Sequence, residues 1–142
     1  MANIVPDSFK TDLLKGTFDF DTSGSTFKLA LYTDISGFST STTAYTTTNE
    51  VSSSGTGYTA GGNTLTNNGV AVASNIAYVD FADLTFSSVT LTADSALIYK
   101  GTSNEAVLVL DFGGDKTATN GDFVIQFPTA DPSTAIIRLG DA

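Results

Sequence analysis

Apolar residues recur at every second position in several segments of this chain. In TFKLALYT, Phe27, Leu29 and Leu31 are separated by single residues, which is typical of a β-strand with one buried face. NTLTNNGVAVAS places an Asn67-Asn68-Gly69 turn signal between two extended runs, as in a hairpin. Strand patterns also occur in AYVDFADLTF, VTLTADSALIYK, AVLVLDFG, GDFVIQF and AIIRLG. The sequence therefore predicts an all-β fold, an antiparallel β-sandwich or barrel of about eight strands with one short N-terminal helix.

The segments between these runs differ in composition. KGTSNEA and GGDKTATNGD are rich in Gly, Asn and Asp, which predicts loops. TSTTAYTTTNEV has no clear period and is rich in Thr, so it fits either a β-like loop or a long excursion over one face of the sheet. Residues 1–142 have the length of a single domain.

Two of the strand patterns, AVLVLDF and SALIY, are apolar almost without interruption. Such a strand is buried on both faces. Either the chain itself covers the second face, or a neighbouring subunit does, and the pattern fits both arrangements.

Residues 1–16 are expected to form an N-terminal arm with a short helix. SFKTDLLKG places Phe9, Leu13 and, less regularly, Leu14 on one helical face, with Asp7 or Ser8 as the cap and Gly16 as the stop. A helix of about two turns is not stable alone. It must dock, either as a lid over the open end of a sheet or as an arm that binds a partner.

Composition narrows the possible functions. The net charge is −9, and the chain contains no His, Cys or Trp. Nucleic acid and anionic membrane surfaces are disfavoured because both are bound through Lys and Arg. Common catalytic bases, thiol nucleophiles and zinc ligands are missing, so we expect no enzyme, no cofactor and no metal site. MANIVPDSFK has no signal-peptide pattern, and no run of 18 apolar residues occurs, which predicts synthesis in the cytoplasm.

Two short motifs are better explained as turns than as ligand sites. GTGYTA (residues 55–60) matches the dinucleotide fingerprint but is not followed by a helical pattern. Its glycines predict a tight loop, with the Tyr58 ring packed on the domain and its hydroxyl in solvent. DFDTSG (residues 19–24) begins like a calcium loop, but the twelfth position is Ala30 rather than Glu. A turn into the first strand explains it.

Two further functions remain as alternatives. A carboxylate pair could act as in glycosidases, drawn from Glu50, Glu105, Asp80 and Asp83. Asp80 and Tyr78, however, alternate with Val79 and Phe81, as expected on a solvated strand face. The five tyrosines lie among many Thr and Ser, so a glycan-binding module in which Tyr45 and Tyr58 contact sugar is the second alternative.

Four longer segments carry a resemblance to a known group: FKLALYTD, TTAYTTTNEVSSSGTGYTAGG, AYVDFADLTFSSVTLTADSALIY and AVLVLDFGGDKTATNGDFVIQFPTADPSTAIIRL. Together they resemble small proteins encoded among the virion genes of tailed bacteriophages. The resemblance implies a structural virion protein, most simply a capsid decoration or cement protein. A tail, neck or fibre-base component is the alternative within the same setting. The expected location is the virion, after synthesis in the host cytoplasm.

The implied partners are the major capsid protein or other virion proteins, together with further copies of this chain in a symmetric assembly. Two contact regions are expected, the N-terminal segment from Ile4 to Leu14 and the Thr-rich excursion from Phe38 to Tyr58. The candidate interface residues are Ile4, Val5, Phe9, Leu13, Leu14, Phe38, Tyr45 and Tyr58.

Overall fold

The fold is mostly β, with one short N-terminal helix and two antiparallel sheets. A computed structural model describes residues 2–141. The elements in chain order are α1 (Asp7–Leu14), β1 (Phe27–Tyr32), a 3-10 turn (Ile35–Gly37), β2 (Asn63–Thr64), β3 (Asn67–Ala73), β4 (Ile76–Phe81), β5 (Leu84–Lys100), β6 (Ala106–Ile125) and β7 (Ile137–Leu139). One sheet has the order β2-β1-β5-β6 and the other β3-β4-β7. The arrangement is a sandwich rather than a closed barrel.

The space between the two sheets contains the larger apolar core. Eight of the ten phenylalanines belong to it. Phe20 and Phe27 stack with their ring centroids 4.6 Å apart, and Phe81 meets Phe27 edge-to-face. Alternation along β4 is as predicted, because Val79 and Phe81 are buried whereas Tyr78 and Asp80 are partly exposed.

The opposite face of the four-stranded sheet carries a second, smaller apolar cluster. Its buried members include Tyr32, Leu97, Tyr99 and Val109, and Phe38 packs onto them from the segment that follows β1. We call residues 33–62 the covering segment. The chain itself therefore covers the second face of β5 and of the first part of β6, which accounts for the nearly continuous apolar sequences SALIY and AVLVLDF.

Two predicted features around β6 were wrong. AVLVLDFG and GDFVIQF are one strand of 20 residues rather than two, and GGDKTATNGD is part of that strand rather than a loop. The glycines are accommodated by a bulge, where the partners of Ala93 and Ser95 jump from Lys116 to Asp111. Beyond the bulge, Ala118, Phe123 and Ile125 of the same strand are buried.

The predicted hairpin turn was also misplaced. The sharp turn lies at Ser74 and Asn75, both with positive φ, between β3 and β4. Gly69 has φ +96° at a bulge inside β3. Asn67 produces this geometry, because its side chain donates to the Phe20 carbonyl and accepts from the Gly69 amide.

The helix forms where predicted but without the predicted cap. Pro6 occupies the N-cap position, no side chain caps the helix, and Asp7 is its first residue. The Asp7 carboxylate instead lies 2.8 Å from the Lys10 ammonium. Gly16 ends the helix with φ +79°, as predicted. Before the helix, Ile4 pairs with Val109 on the free edge of β6.

The two sequence motifs form turns, as predicted. Gly55 and Gly57 both have positive φ within a tight loop. In the other motif, the Ser25 amide donates to the Asp19 carbonyl and the Gly24 amide to that of Asp21. This turn leads directly into β1.

Gly62 provides a direct test of how closely the covering segment returns to β1. A Cβ atom at Gly62 would lie 1.8 Å from the Leu29 carbonyl oxygen, and φ is +69°. Gly55 has a similar φ of +71° but nothing within 4 Å of its Cβ position. We expect Gly62→Ala to lower the free energy of unfolding by more than about 3 kcal/mol and Gly55→Ala by only about 1 kcal/mol. Equal losses in denaturant titrations would contradict the close approach.

Candidate functional site

Glu50 lies at the edge of the four-stranded sheet, where its backbone pairs with Tyr32 of β1. Its carboxylate accepts three hydrogen bonds. Tyr45 donates to Oε2 at 2.6 Å, Tyr58 donates to Oε1 at 2.7 Å, and the Gly61 amide donates to Oε1 at 2.6 Å. Tyr45 packs against the smaller cluster and Tyr58 belongs to the larger core. One carboxylate therefore connects side chains from both faces of the sheet.

Three tyrosines, Tyr58, Tyr99 and Tyr32, connect the covering segment to the strands by hydrogen bonds. The Tyr58 hydroxyl also accepts from the Leu31 amide at 3.0 Å. Tyr99 of β5 donates to the Gly61 carbonyl at 2.6 Å, and Tyr32 donates to the Thr46 carbonyl at 2.7 Å. The prediction that the Tyr58 hydroxyl stays in solvent was wrong, because the Glu50 carboxylate and the Leu31 amide give it partners inside the fold.

Burial dominates the electrostatics of this cluster. Desolvation raises the pKa of Tyr32, Tyr45, Tyr58 and Tyr99 above the ordinary value of 10.0, and the negative charge of Glu50 raises these pKa values further. Each hydroxyl therefore keeps its proton at neutral pH and can donate. The cluster is a structural network in which neutral tyrosine hydroxyls donate to the Glu50 carboxylate and to two backbone carbonyls.

Several candidate interface residues hold the chain's own fold together. Phe9, Phe38 and Tyr58 are buried. Phe38 meets Tyr32 edge-to-face, with the centroids 4.7 Å apart. Tyr45 stacks on Tyr99 at the same distance. Tyr45 and Tyr58, the two tyrosines named for glycan binding, are thus engaged inside the fold.

The other candidate carboxylates are dispersed. Asp80 accepts from the Asn68 side chain, and Asp83 accepts from the Phe127 amide. Glu105 accepts from the Ser103 hydroxyl, which holds its pKa below the ordinary value. Across residues 2–141, no three acidic side chains converge in a way that could hold a metal ion.

The arm forms one wall of an apolar groove of about 660 Å³ at the open side of the sandwich, between β6 and β7. From the arm come Val5, Phe9, Lys10, Leu13 and Leu14. The remaining lining residues are Ile76, Val107, Leu108, Pro132, Ile136, Ile137, Arg138, Leu139 and Gly140. Within this protein of net charge −9, the groove is lined by two basic residues and no acidic one.

The rim of this groove is apolar and open to solvent. The exposed fractions are 83% for Leu14, 62% for Leu139 and 40% for Val5. Large exposed apolar side chains grouped around one depression are typical of an interaction site. The structure therefore brings together three of the predicted interface residues, Val5, Leu13 and Leu14. Val5 and Leu14 are exposed, whereas Leu13 is partly buried against the larger core.

Half of the groove was missed by sequence reasoning. AIIRLG was recognised as a strand, but nothing in the sequence placed Ile137 and Leu139 opposite the arm. One signal was present in the sequence: the apolar residues of the last predicted strand had no assigned packing partner, which indicates a surface available for contact. Only the topology, with β7 at a sheet edge, brings them next to α1.

No protein-family model, curated protein or solved structure matches this chain. Within residues 2–141, no helix has the length and apolar character needed to cross a membrane. The resemblance to phage virion proteins therefore stays a prediction.

The tyrosine cluster predicts a specific response to alkaline pH. The pKa values of four tyrosines are raised in the folded protein, whereas unfolded tyrosines ionise near pH 10. Their contribution to stability is complete below about pH 10 and is lost as the pH rises above it. We expect tyrosinate absorbance of these rings to appear together with loss of the β-sheet circular dichroism signal. Ionisation of four tyrosines near pH 10 in a protein that keeps its sheet signal would contradict the burial of this cluster.

Proposed function

We propose that this chain is a non-enzymatic structural protein of a phage virion, most simply a decoration or cement protein on the outer head surface. In this role many copies bind the shell formed by the major capsid protein and stabilise the joints between capsomers. Binding that favours the assembled state stabilises it by mass action. A tail, neck or fibre-base component is the alternative within the same setting.

The observation that carries this proposal is the apolar groove beside the arm. Leu14 and Leu139 are mostly exposed, and burying side chains of this size contributes about 2 kcal/mol each. Durable protein interfaces have an apolar centre of this kind and a polar rim. The arm is already docked on β6 through Ile4, so its outer side chains are presented in a fixed arrangement.

The chemistry of the chain supports adhesion rather than turnover. It has no His and no Cys. The Glu50 carboxylate is occupied by two tyrosines and a backbone amide that hold the covering segment. The exposed apolar side chains around the groove are suited to contact with a neighbour.

The proposal is tested by counting this protein in virions of a phage that encodes it. We expect many copies on the outer head surface in a density map. Leu14→Lys should reduce incorporation at least about tenfold, because it places a charge in an apolar contact. Val124→Lys is the matched control, since Val124 is also exposed but lies on β6 outside the groove. A few copies at the portal or tail would refute the head location, and equal incorporation of both variants would refute the role of the groove.

A further inference from the structure

The three-stranded sheet ends in two strands whose outer edges are unpaired within the described residues. β3 and β7 each pair only with β4. The seven residues of β3 include no charged side chain and no proline. Natural proteins usually protect an edge strand with charges, prolines, β-bulges or a cover. The bulge of β3 lies at its start, at Gly69, so the uncharged outer edge after the bulge is suited to pair with another strand.

The side chains on β3 extend the apolar face of its sheet beyond the core. Val70 lies directly opposite Val79 of β4, and Val79 lies directly opposite Ile137 of β7. Directly opposed residues of antiparallel strands share one face, so these three belong to the core-facing side. Val72 follows two residues after Val70 on the same face. Nevertheless Val70 is 55% and Val72 72% exposed, because nothing in the described chain packs over this end of the sheet.

The groove beside β7 matches this strand in polarity. The groove is lined by Arg138 and by Lys10, and the Lys10 ammonium is paired with the Asp7 carboxylate. Arg138 therefore supplies the basic character of the groove, and no acidic residue lines it. Near the start of β3 are two acidic residues: Asp80 lies opposite Gly69, and an Asp21 carboxylate oxygen lies 3.9 Å from the Cβ position of Gly69. An apolar strand with acidic neighbours thus faces solvent on one side of the sheet, and an apolar groove that carries Arg138 opens on the other.

We infer that the groove of one copy receives β3 of a second copy. β3 and β7 are both antiparallel to β4, so they run parallel to each other. If a second copy is shifted sideways, perpendicular to the strands, its β3 lies beside β7 of the first copy. The two strands are then parallel, and the core-facing sides of both sheets are aligned. Val70 and Val72 of that copy would then lie beside Ile137 and Leu139, which line the groove. This is strand addition at a sheet edge, with side-chain pockets supplied by the groove.

The contact is head-to-tail, because it joins two different surfaces of the chain. Such contacts repeat until they close into a ring or form an open filament. The inference deepens the proposed function, since it names the occupant of the same groove. It predicts that the isolated protein forms assemblies of more than two copies.

Mixing two variants tests this contact in solution. Val72→Lys disables β3 and leaves the groove intact, whereas Leu14→Lys disables the groove and leaves β3 intact. Each alone should associate at least about tenfold more weakly than the unmodified protein in light scattering and native mass spectrometry. Mixed together, they should form a one-to-one heterodimer and nothing larger, because one working strand and one working groove remain. Val124→Lys is the matched control and should assemble normally.

Three outcomes would overturn the inference. The unmodified protein could be monomeric at high micromolar concentration, or the mixed variants could fail to form a heterodimer. Val124→Lys could also disrupt assembly as strongly as the other two variants. Leu139→Lys serves as a second groove variant, and circular dichroism verifies the fold of each. The two proposals fail separately. A monomeric protein that coats virions would overturn this contact alone, and an assembling protein absent from virions would overturn the proposed function alone.

Discussion

The carboxylate of Glu50 is the interaction on which the rest of the structure depends. It accepts hydrogen bonds from the hydroxyls of Tyr45 and Tyr58, which pack on opposite faces of the four-stranded sheet, and from the Gly61 amide of the covering segment. Charge-assisted hydrogen bonds of this kind contribute about 1.5–3 kcal/mol each when they are shielded from water. The covering segment has little regular structure of its own. These side-chain bonds, together with the packing of Phe38, hold it against the sheet.

The position of the covering segment determines which surfaces of the chain are accessible to other molecules. Because residues 33–62 cover the second face of β1 and β5, no neighbouring subunit is required there. Apart from Val124 on β6, the large exposed apolar side chains lie instead at the other sheet, on β3 and around the groove between α1 and β7. The chain thus completes its own core and leaves a sheet edge and a groove on opposite sides of the same three-stranded sheet. Both proposals rest on this difference: the chain covers the four-stranded sheet, whereas the three-stranded sheet has an exposed edge strand and an exposed groove.

Period-two alternation was sufficient to predict the β fold and the strand cores around Leu29 and Val79, and the helical spacing of Phe9 and Leu13 predicted the helix that Gly16 ends. It failed where side-chain contacts override local turn chemistry. Gly69 lies in a bulge because Asn67 bonds to the 19–24 turn, and Gly113 lies in a strand because β5 continues alongside it. Of the site, the sequence predicted the arm residues Val5 and Leu14 but not Leu139, whose position depends on long-range topology. The role of Glu50 was also hidden, because its donors Tyr45, Tyr58 and Gly61 lie in a Thr- and Gly-rich stretch whose sequence has no clear period.

Hydrogen exchange of the Glu50→Ala variant, measured by mass spectrometry, tests the central claim most directly. Removing the carboxylate leaves two hydroxyls and one amide without their acceptor. We predict that amides of residues 38–62 exchange about a hundredfold faster, corresponding to a loss of roughly 3 kcal/mol, while the amides shared by β5 and β6 keep their protection. Glu105→Ala is the control, because Glu105 bonds locally to Ser103. Unchanged protection of residues 38–62 in Glu50→Ala, or a uniform loss across all strands, would contradict the account.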